Sequence, residues 1–196
     1  MNKALLWICV GVLVFLGITW IGSTYNSFVR LDEKVIANWA QVENQYKRRL
    51  DLIPNLVETV KGYAAHEQET LAQVVALRSA AQTASKAPDL LTNKTSMDNY
   101  VKAQSALSQG LGRLMVVVER YPDLKANEGF LALQSQLEGT ENRIAVERRN
   151  YIETVREYNT RIRMFPLAMI AALFGFEKKQ TFDMPKDAEN APQISF

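Results

Sequence analysis

The apolar side chains between Phe28 and Val57 recur at intervals of three or four residues. They are Phe28, Leu31, Val35, Trp39, Val42, Tyr46, Leu50, Ile53 and Val57. Corresponding members of the series repeat after eleven residues, which keeps them in one narrow stripe of an α-helix. Such a stripe must be buried against partner helices, so this stretch predicts a long helix within an α-helical bundle.

An apolar segment precedes this helix at residues 4–21, and it contains no charged side chain. In an α-helix it would extend roughly 27 Å, which is enough to cross the hydrocarbon core of a bilayer. Trp7 lies near one end of the segment, and Trp20 and Tyr25 lie near the other, where amphipathic aromatic rings favour the headgroup region. A cleaved signal peptide is the alternative interpretation, but no small-residue cleavage site stands out before Tyr25. We predict an uncleaved transmembrane anchor over residues 1–24.

Three further helices are predicted after the first. Pro54 either turns the chain or kinks one longer helix, because proline removes a backbone hydrogen bond; we favour the turn. The second helix then covers residues 55–83, and the third opens at a capping box formed by Thr95 and Asp98. The fourth covers residues 124–165. The sequence predicts an all-α protein: an N-terminal transmembrane helix followed by an antiparallel four-helix bundle with long helices over residues 25–182.

The fourth predicted helix is longer than the second and third, and it runs back towards the membrane. Its extra length would bring the apolar residues 165–176, which include Phe174 and Phe176, to the bilayer surface, in the interface or as a cap on the bundle. A short helix packed on the core is the alternative. Residues 183–196 are polar and contain two prolines, so we predict a flexible tail there.

Comparing the levels of the helices predicts a polar layer near the middle of the bundle. The side chains concerned are Arg48, Arg49, Gln104, Thr140, Glu141 and Arg148. We expect one of the two adjacent arginines to pair with Glu141, because buried charges must be paired. We expect Arg148 to lie at the level of Tyr46. The alternative, which is the usual arrangement of such charges and the one we favour, is that they form a solvated face.

Three stretches of the chain carry a family resemblance. They are YNSFVRLDEKVIANWAQVENQYKRRLDLIPNLVETVKGYAAHEQETL, YPDLKANEGFLALQSQLEGTENRIAVERRNYIETVREYN and RMFPLAMIAALFGF. They resemble the LemA family of bacterial membrane-anchored proteins, and the strings RRxDLIPNLV and LEGTENRI are specific. The resemblance implies a membrane helix with a four-helix bundle, no enzyme activity, and roles in membrane organisation, organelles or envelope stress. By the same resemblance the motif positions, to which no catalytic role attaches, are Arg48, Arg49, Asp51, Pro54, Glu141 and Asn142.

Residues able to carry catalysis are few. His66 is the only histidine and Cys9 the only cysteine, and Cys9 lies in the apolar segment, which leaves no Ser-His-Asp or Cys-His system. The string HEQET at residues 66–70 lacks the second histidine of a zinc protease or di-iron site. A site built from the carboxylates of Asp51 and Glu141 alone stays open, but nothing indicates a substrate. We predict no enzyme activity, no cofactor and no metal.

Charge and anchoring together limit the possible partners. With 23 basic and 21 acidic side chains the formal net charge is +2, which gives no indication of nucleic acid. We predict a single-pass protein of the bacterial inner membrane that acts as a scaffold, an adaptor or a self-associating envelope factor. Its expected partners are the lipid bilayer, other membrane or envelope proteins, and a second copy. The alternative is a ligand-binding or stress-sensing bundle that signals through a membrane partner. The short head with one lysine favours a bundle outside the cytoplasm.

Overall fold

The computed structural model describes residues 3–182, and it confirms an all-α protein with a long apolar N-terminal helix. The helices are α1 (Lys3–Tyr63), α2 (Gln68–Ala84), α3 (Lys94–Val118), α4 (Pro122–Lys125), α5 (Glu128–Arg161) and α6 (Leu167–Leu173). No strand occurs within residues 3–182. The tail predicted at residues 183–196 lies outside the described part of the chain.

The bundle is formed by α2, α3, α5 and the second half of α1. Helix α1 packs against α5 and α2, α2 packs against α3, and the short α6 packs against α1. The apolar stripe predicted on α1 faces the core of the bundle. Every member from Phe28 to Val57 is buried except Leu31, which is partly buried. The three- and four-residue spacing therefore identified the inner face of this helix correctly.

The predicted turn at Pro54 is wrong, and so is the start of the second helix at Asn55. Helix α1 continues through Pro54 to Tyr63, and α2 begins only at Gln68. Proline has no N–H, so the carbonyl of Leu50, four residues earlier, lacks its helical donor. The Nε atom of Arg78 on α2 donates to this carbonyl oxygen at 2.8 Å. A side chain of the neighbouring helix thus replaces the hydrogen bond that Pro54 removes.

Asparagine side chains cap the N-termini of α3 and α5. The predicted capping box of Thr95 and Asp98 is wrong, because α3 begins one residue before Thr95 and the side chain of Asn93 accepts hydrogen bonds from the first turn. Asn127 caps α5 in the same way by accepting from the N–H of Phe130 at 2.9 Å. The predicted fourth helix is therefore divided into the single turn of α4 and the long α5, which ends at Arg161 rather than near Phe165.

After α6 the chain reverses and runs back along α5. Gly175 has a φ of 74°, and the N–H groups of Gly175 and Phe176 bond to the carbonyls of Ala172 and Ala171, which is the Schellman arrangement that ends a helix. We call the following residues, 177–182, the return segment. It ends in the buried ring of Phe182, which lies 5.9 Å from the ring of Trp39, centroid to centroid.

Candidate functional site

The core is divided at its middle by one buried charged side chain. On one side of Arg49 a cluster extends from Phe28 to Tyr46 of α1, and on the other a second cluster extends from Leu50 to Ala64. Arg49 itself is only 2% exposed. An arginine keeps its charge in proteins and offers five N–H donors, so its burial requires several acceptors around it.

Two helices, α3 and α5, supply those acceptors. The Nη1 atom of Arg49 donates to Oε2 of Glu141 on α5 at 2.9 Å and to Oγ of Ser108 on α3 at 2.8 Å. The Nη2 atom donates to the carbonyl oxygen of Gln104 at 3.3 Å and to the Oε1 atom of the same residue. We call Arg49, Gln104, Ser108 and Glu141 the arginine layer. These bonds connect α1 to α3 and to α5 at one level of the bundle.

The arginine layer is open to water on the side of Glu141. The side chain of Glu141 is 55% exposed, whereas that of Arg49 is 2% exposed. A cavity of about 270 Å³ reaches the pair between α3 and α5, and its lining includes Met115 and Gln134. The charge of Arg49 is therefore compensated by a carboxylate at the bundle surface, which lowers the cost of burying the guanidinium.

A second cavity lies on the other side of Gln104. It has a volume of about 330 Å³, and its lining includes Tyr46, Arg78, Tyr100 and Gln104. Burial raises the pKa of Tyr46, and the charges of Arg148 and Arg49 oppose that shift only in part. Burial raises the pKa of Tyr100 as well. Both phenols therefore stay neutral at physiological pH and can act as hydrogen-bond donors or acceptors, not as charged groups.

The structure places the remaining motif positions outside the arginine layer. Arg48, Asp51, Pro54 and Asn142 are exposed, although Asp51 lines the second cavity. The hydroxyl of Thr140, which we had expected at this level, is buried but donates to the carbonyl of Gln136 in its own helix at 2.7 Å.

Two residues of this region were missed by sequence reasoning. Ser108 follows Gln104 by one helical turn, a polar position that could have been noticed. Phe182 carries no periodic signal, yet the guanidinium of Arg148 lies 4.5 Å from the centroid of its ring. Such a distance is typical of a cation–π interaction. Arg148 thus helps to hold the return segment in place.

An aromatic cluster lies where α1 leaves its apolar segment. The ring of Tyr25 lies 4.9 Å from that of Phe174 and 5.7 Å from that of Phe176, and Phe28 lies 5.2 Å from Phe176, centroid to centroid. Phe176 therefore faces the core rather than the surroundings, whereas Phe174 is 46% exposed. Trp7 and Trp20, the other predicted interface residues, are exposed on α1.

The described residues contain no group of three or more metal-ligating side chains in one place. His66 is exposed in the turn between α1 and α2. From Leu6 to Ile21 the side chains of α1 are exposed, except for the partly buried Gly17, and α1 is the one helix of the described part that is long and apolar enough to cross a membrane.

Comparison with known proteins identifies the family. A model of the LemA family matches residues 38–196. Magnetosome protein MamQ 2 of Paramagnetospirillum magneticum is 26% identical over 190 residues, which cover 87% of this chain and 68% of the relative. Magnetosome protein MamQ of Magnetospirillum gryphiswaldense is 26% identical over 194 residues, with 91% and 71% covered. Protein LemA of Metamycoplasma hominis is 27% identical over 152 residues, with 74% and 65% covered. The family model matches most of the sequence, so this chain belongs to the LemA family.

Proposed function

We propose that this protein is a membrane-anchored, non-catalytic scaffold whose bundle is held rigidly by its own transmembrane helix. The observation that carries the proposal is the continuity of α1. One helix of 61 residues contains both an exposed apolar segment and the buried stripe of the bundle core. Exposed apolar surface of this extent is costly in water, and a bilayer removes the cost.

The arginine layer supports a structural role for the charged groups inside the bundle. Glu141, Gln104 and Ser108 all accept hydrogen bonds from the two terminal nitrogens of Arg49, which supports a structural role for this side chain. Burying such a group costs stability unless it is paired, and buried polar groups of this kind specify which helices meet and in what register. A bundle with one defined surface suits a protein that holds partners.

The partners that we propose are other membrane or envelope proteins and a second copy of this chain. The outer face of α5 is rich in exposed charged side chains, which is typical of surfaces that bind reversibly and selectively. The relatives that are magnetosome proteins support a place at a membrane. We place the anchor in the bacterial inner membrane with the bundle outside the cytoplasm, since the residues before the segment carry a single lysine.

Anchoring and orientation are tested together in native membranes. We expect alkaline carbonate to leave the full-length chain in the membrane pellet, and protease added to sealed, right-side-out spheroplasts to degrade the bundle. Release of the intact chain by carbonate would overturn the anchor. Protection of the bundle in intact spheroplasts, with degradation after lysis, would overturn the proposed orientation.

The scaffold role needs its own experiment. A photoreactive amino acid placed at exposed positions of α5, such as Arg149, should give discrete crosslinked products with a membrane protein or with a second copy. The same group at the buried Tyr151 is the matched control, and we expect no intermolecular product from it. The absence of such products at every exposed position of α3 and α5, or robust turnover by the purified protein, would overturn the proposal.

A further inference from the structure

The surface around α6 exposes an unusual number of large apolar side chains. Five of them, which we call the α6 patch, lie between the end of α5 and the end of α6: Met164, Phe165, Met169, Leu173 and Phe174. Phe165 is 85% exposed and Leu173 is 77% exposed. Water-soluble surfaces seldom display so many neighbouring apolar side chains, so we expect another surface to cover the patch.

One side of α6 is already used. Ile170 and Ala171 are buried against the bundle, and the carbonyl of Ala171 accepts the hydrogen bond from Phe176 that ends the helix. The helix is therefore held in one orientation, and the α6 patch is its opposite, outward-facing side. All seven residues of α6 are apolar, so a side that is held facing outward can be covered by the interface of a membrane.

The patch is continuous with the apolar segment of α1. The ring of Phe174 packs on Tyr25 at 4.9 Å, and Tyr25 follows Ile21, the last residue of the segment, by only four residues, or about 6 Å of helix. If α1 crosses a bilayer, the α6 patch lies at the level where that bilayer ends. A lipid interface at this level would cover both surfaces without any additional partner.

The charges around the patch favour an anionic lipid surface. Arg161 and Arg163 precede it and Lys178 follows it, all of them exposed, with Glu177 as the acidic neighbour in the sequence. Lys179 is bound to Asp32 at 2.7 Å and does not add to this basic border. Basic side chains next to an inserted apolar face strengthen binding to anionic headgroups.

We propose that the α6 patch inserts into the headgroup region of the same bilayer that α1 crosses. The inference rests on the proposed anchoring function and adds to it a second, lateral contact, which fixes the tilt of the bundle and its rotation about α1. The occupant is the lipid surface itself, with anionic lipids strengthening the contact.

Site-directed spin labelling of the full chain tests this proposal. Cys9→Ser gives a cysteine-free background, in which Leu173→Cys, Val116→Cys and Leu13→Cys are labelled one at a time and reconstituted into vesicles of phosphatidylcholine and phosphatidylglycerol. Val116 is the matched control because it is 70% exposed and apolar but lies near the end of α3 that is remote from the anchor. Leu13 reports on the anchor.

We expect the label at position 173 to collide several-fold less with a water-soluble nickel chelate than the label at 116, and more with oxygen. If positions 173 and 116 are equally accessible to nickel while position 13 is protected, the patch proposal fails and the anchor stands. If position 13 is also accessible, the anchoring function itself fails. If position 173 is protected but shows strong dipolar coupling to a second label at 173, a second copy covers the patch, and the proposal is overturned.

Discussion

The Nε atom of Arg78 donates to the carbonyl oxygen of Leu50 at 2.8 Å, the oxygen that Pro54 leaves without a helical donor. The contact joins α2 to the C-terminal part of α1, at the position where Pro54 removes a backbone hydrogen bond. Its partners lie 28 residues apart in the sequence. A proline that would weaken an isolated helix therefore becomes a point at which two helices of the bundle are hydrogen-bonded.

This hydrogen bond predicts that the stability lost on mutating Arg78 depends on whether residue 54 is a proline. Arg78→Met should lower the free energy of unfolding by about 1–2 kcal/mol, because the Leu50 carbonyl loses its donor. In a Pro54→Ala background the restored backbone N–H can bond to Leu50, so the same Arg78→Met change should cost much less. Chemical unfolding of the four proteins in nanodiscs measures both values. Equal losses in the two backgrounds would contradict the assigned role of Arg78.

The arginine layer predicts a larger effect at Glu141 than at its neighbour. Glu141→Ala should lower the free energy of unfolding by about 1–3 kcal/mol, because Arg49 keeps only neutral acceptors for its buried charge. Asn142→Ala is the matched control on the same helix, and as an exposed position it should change stability by less than about 0.5 kcal/mol. Equal small effects at both positions would show that the ion pair contributes nothing.

The packing of the return segment predicts that Phe182, which follows the last helix, stabilises the core. Phe182→Ala should destabilise the protein by about 3 kcal/mol, because the ring is buried against Trp39 and Tyr151 and its removal leaves a cavity. Phe165→Ala removes the same group from an exposed position and should leave the stability of the bundle unchanged in detergent. Thermal unfolding of the two variants measures the difference, and similar midpoints would contradict the placement of residues 177–182.

The buried phenols predict a loss of stability at alkaline pH. Burial, helped by Asp32 and Glu177, raises the pKa of Tyr158 to about 12, and burial also raises the pKa of Tyr151. Unfolded tyrosines ionise near pH 10. The contribution of each neutral phenol is thus fully present below pH 10 and falls as the pH rises from 10 towards 12, by up to about 1.4 kcal/mol per pH unit. In Tyr158→Phe the fall measured by chemical unfolding should be shallower, and an unchanged slope would refute this assignment.

The buried face of α1 could be predicted because its apolar residues recur at regular intervals along the sequence. The stripe of α1 continues through Val57, and this continuity was a sign that the helix does not stop at Pro54. The predicted turn there was wrong, because whether a helix continues through a proline depends on what replaces the lost hydrogen bond. That replacement comes from Arg78, and no local pattern around Pro54 reveals it.

Only part of the candidate site could be predicted from the sequence. Counting helical levels placed an arginine opposite Glu141, but it could not separate Arg48 from Arg49, since adjacent residues differ in height by only about 1.5 Å along a helix. The return segment has no period at all, and it is held by backbone contacts such as those of Lys179 with the side chain of Asn159. Contacts of this kind depend on the finished tertiary structure.

Because α1 is one continuous helix, a change in its tilt at one end displaces its other end. Between Ile21 and Tyr63 the helix rises about 63 Å, so a change of about 10° in its inclination moves the far end sideways by about 11 Å. If α1 crosses a bilayer, as we propose, thinning or stretching of the lipid around its apolar segment would change that inclination. A change in bilayer thickness around the apolar segment would therefore displace the turn at Tyr63 and the loops beside it.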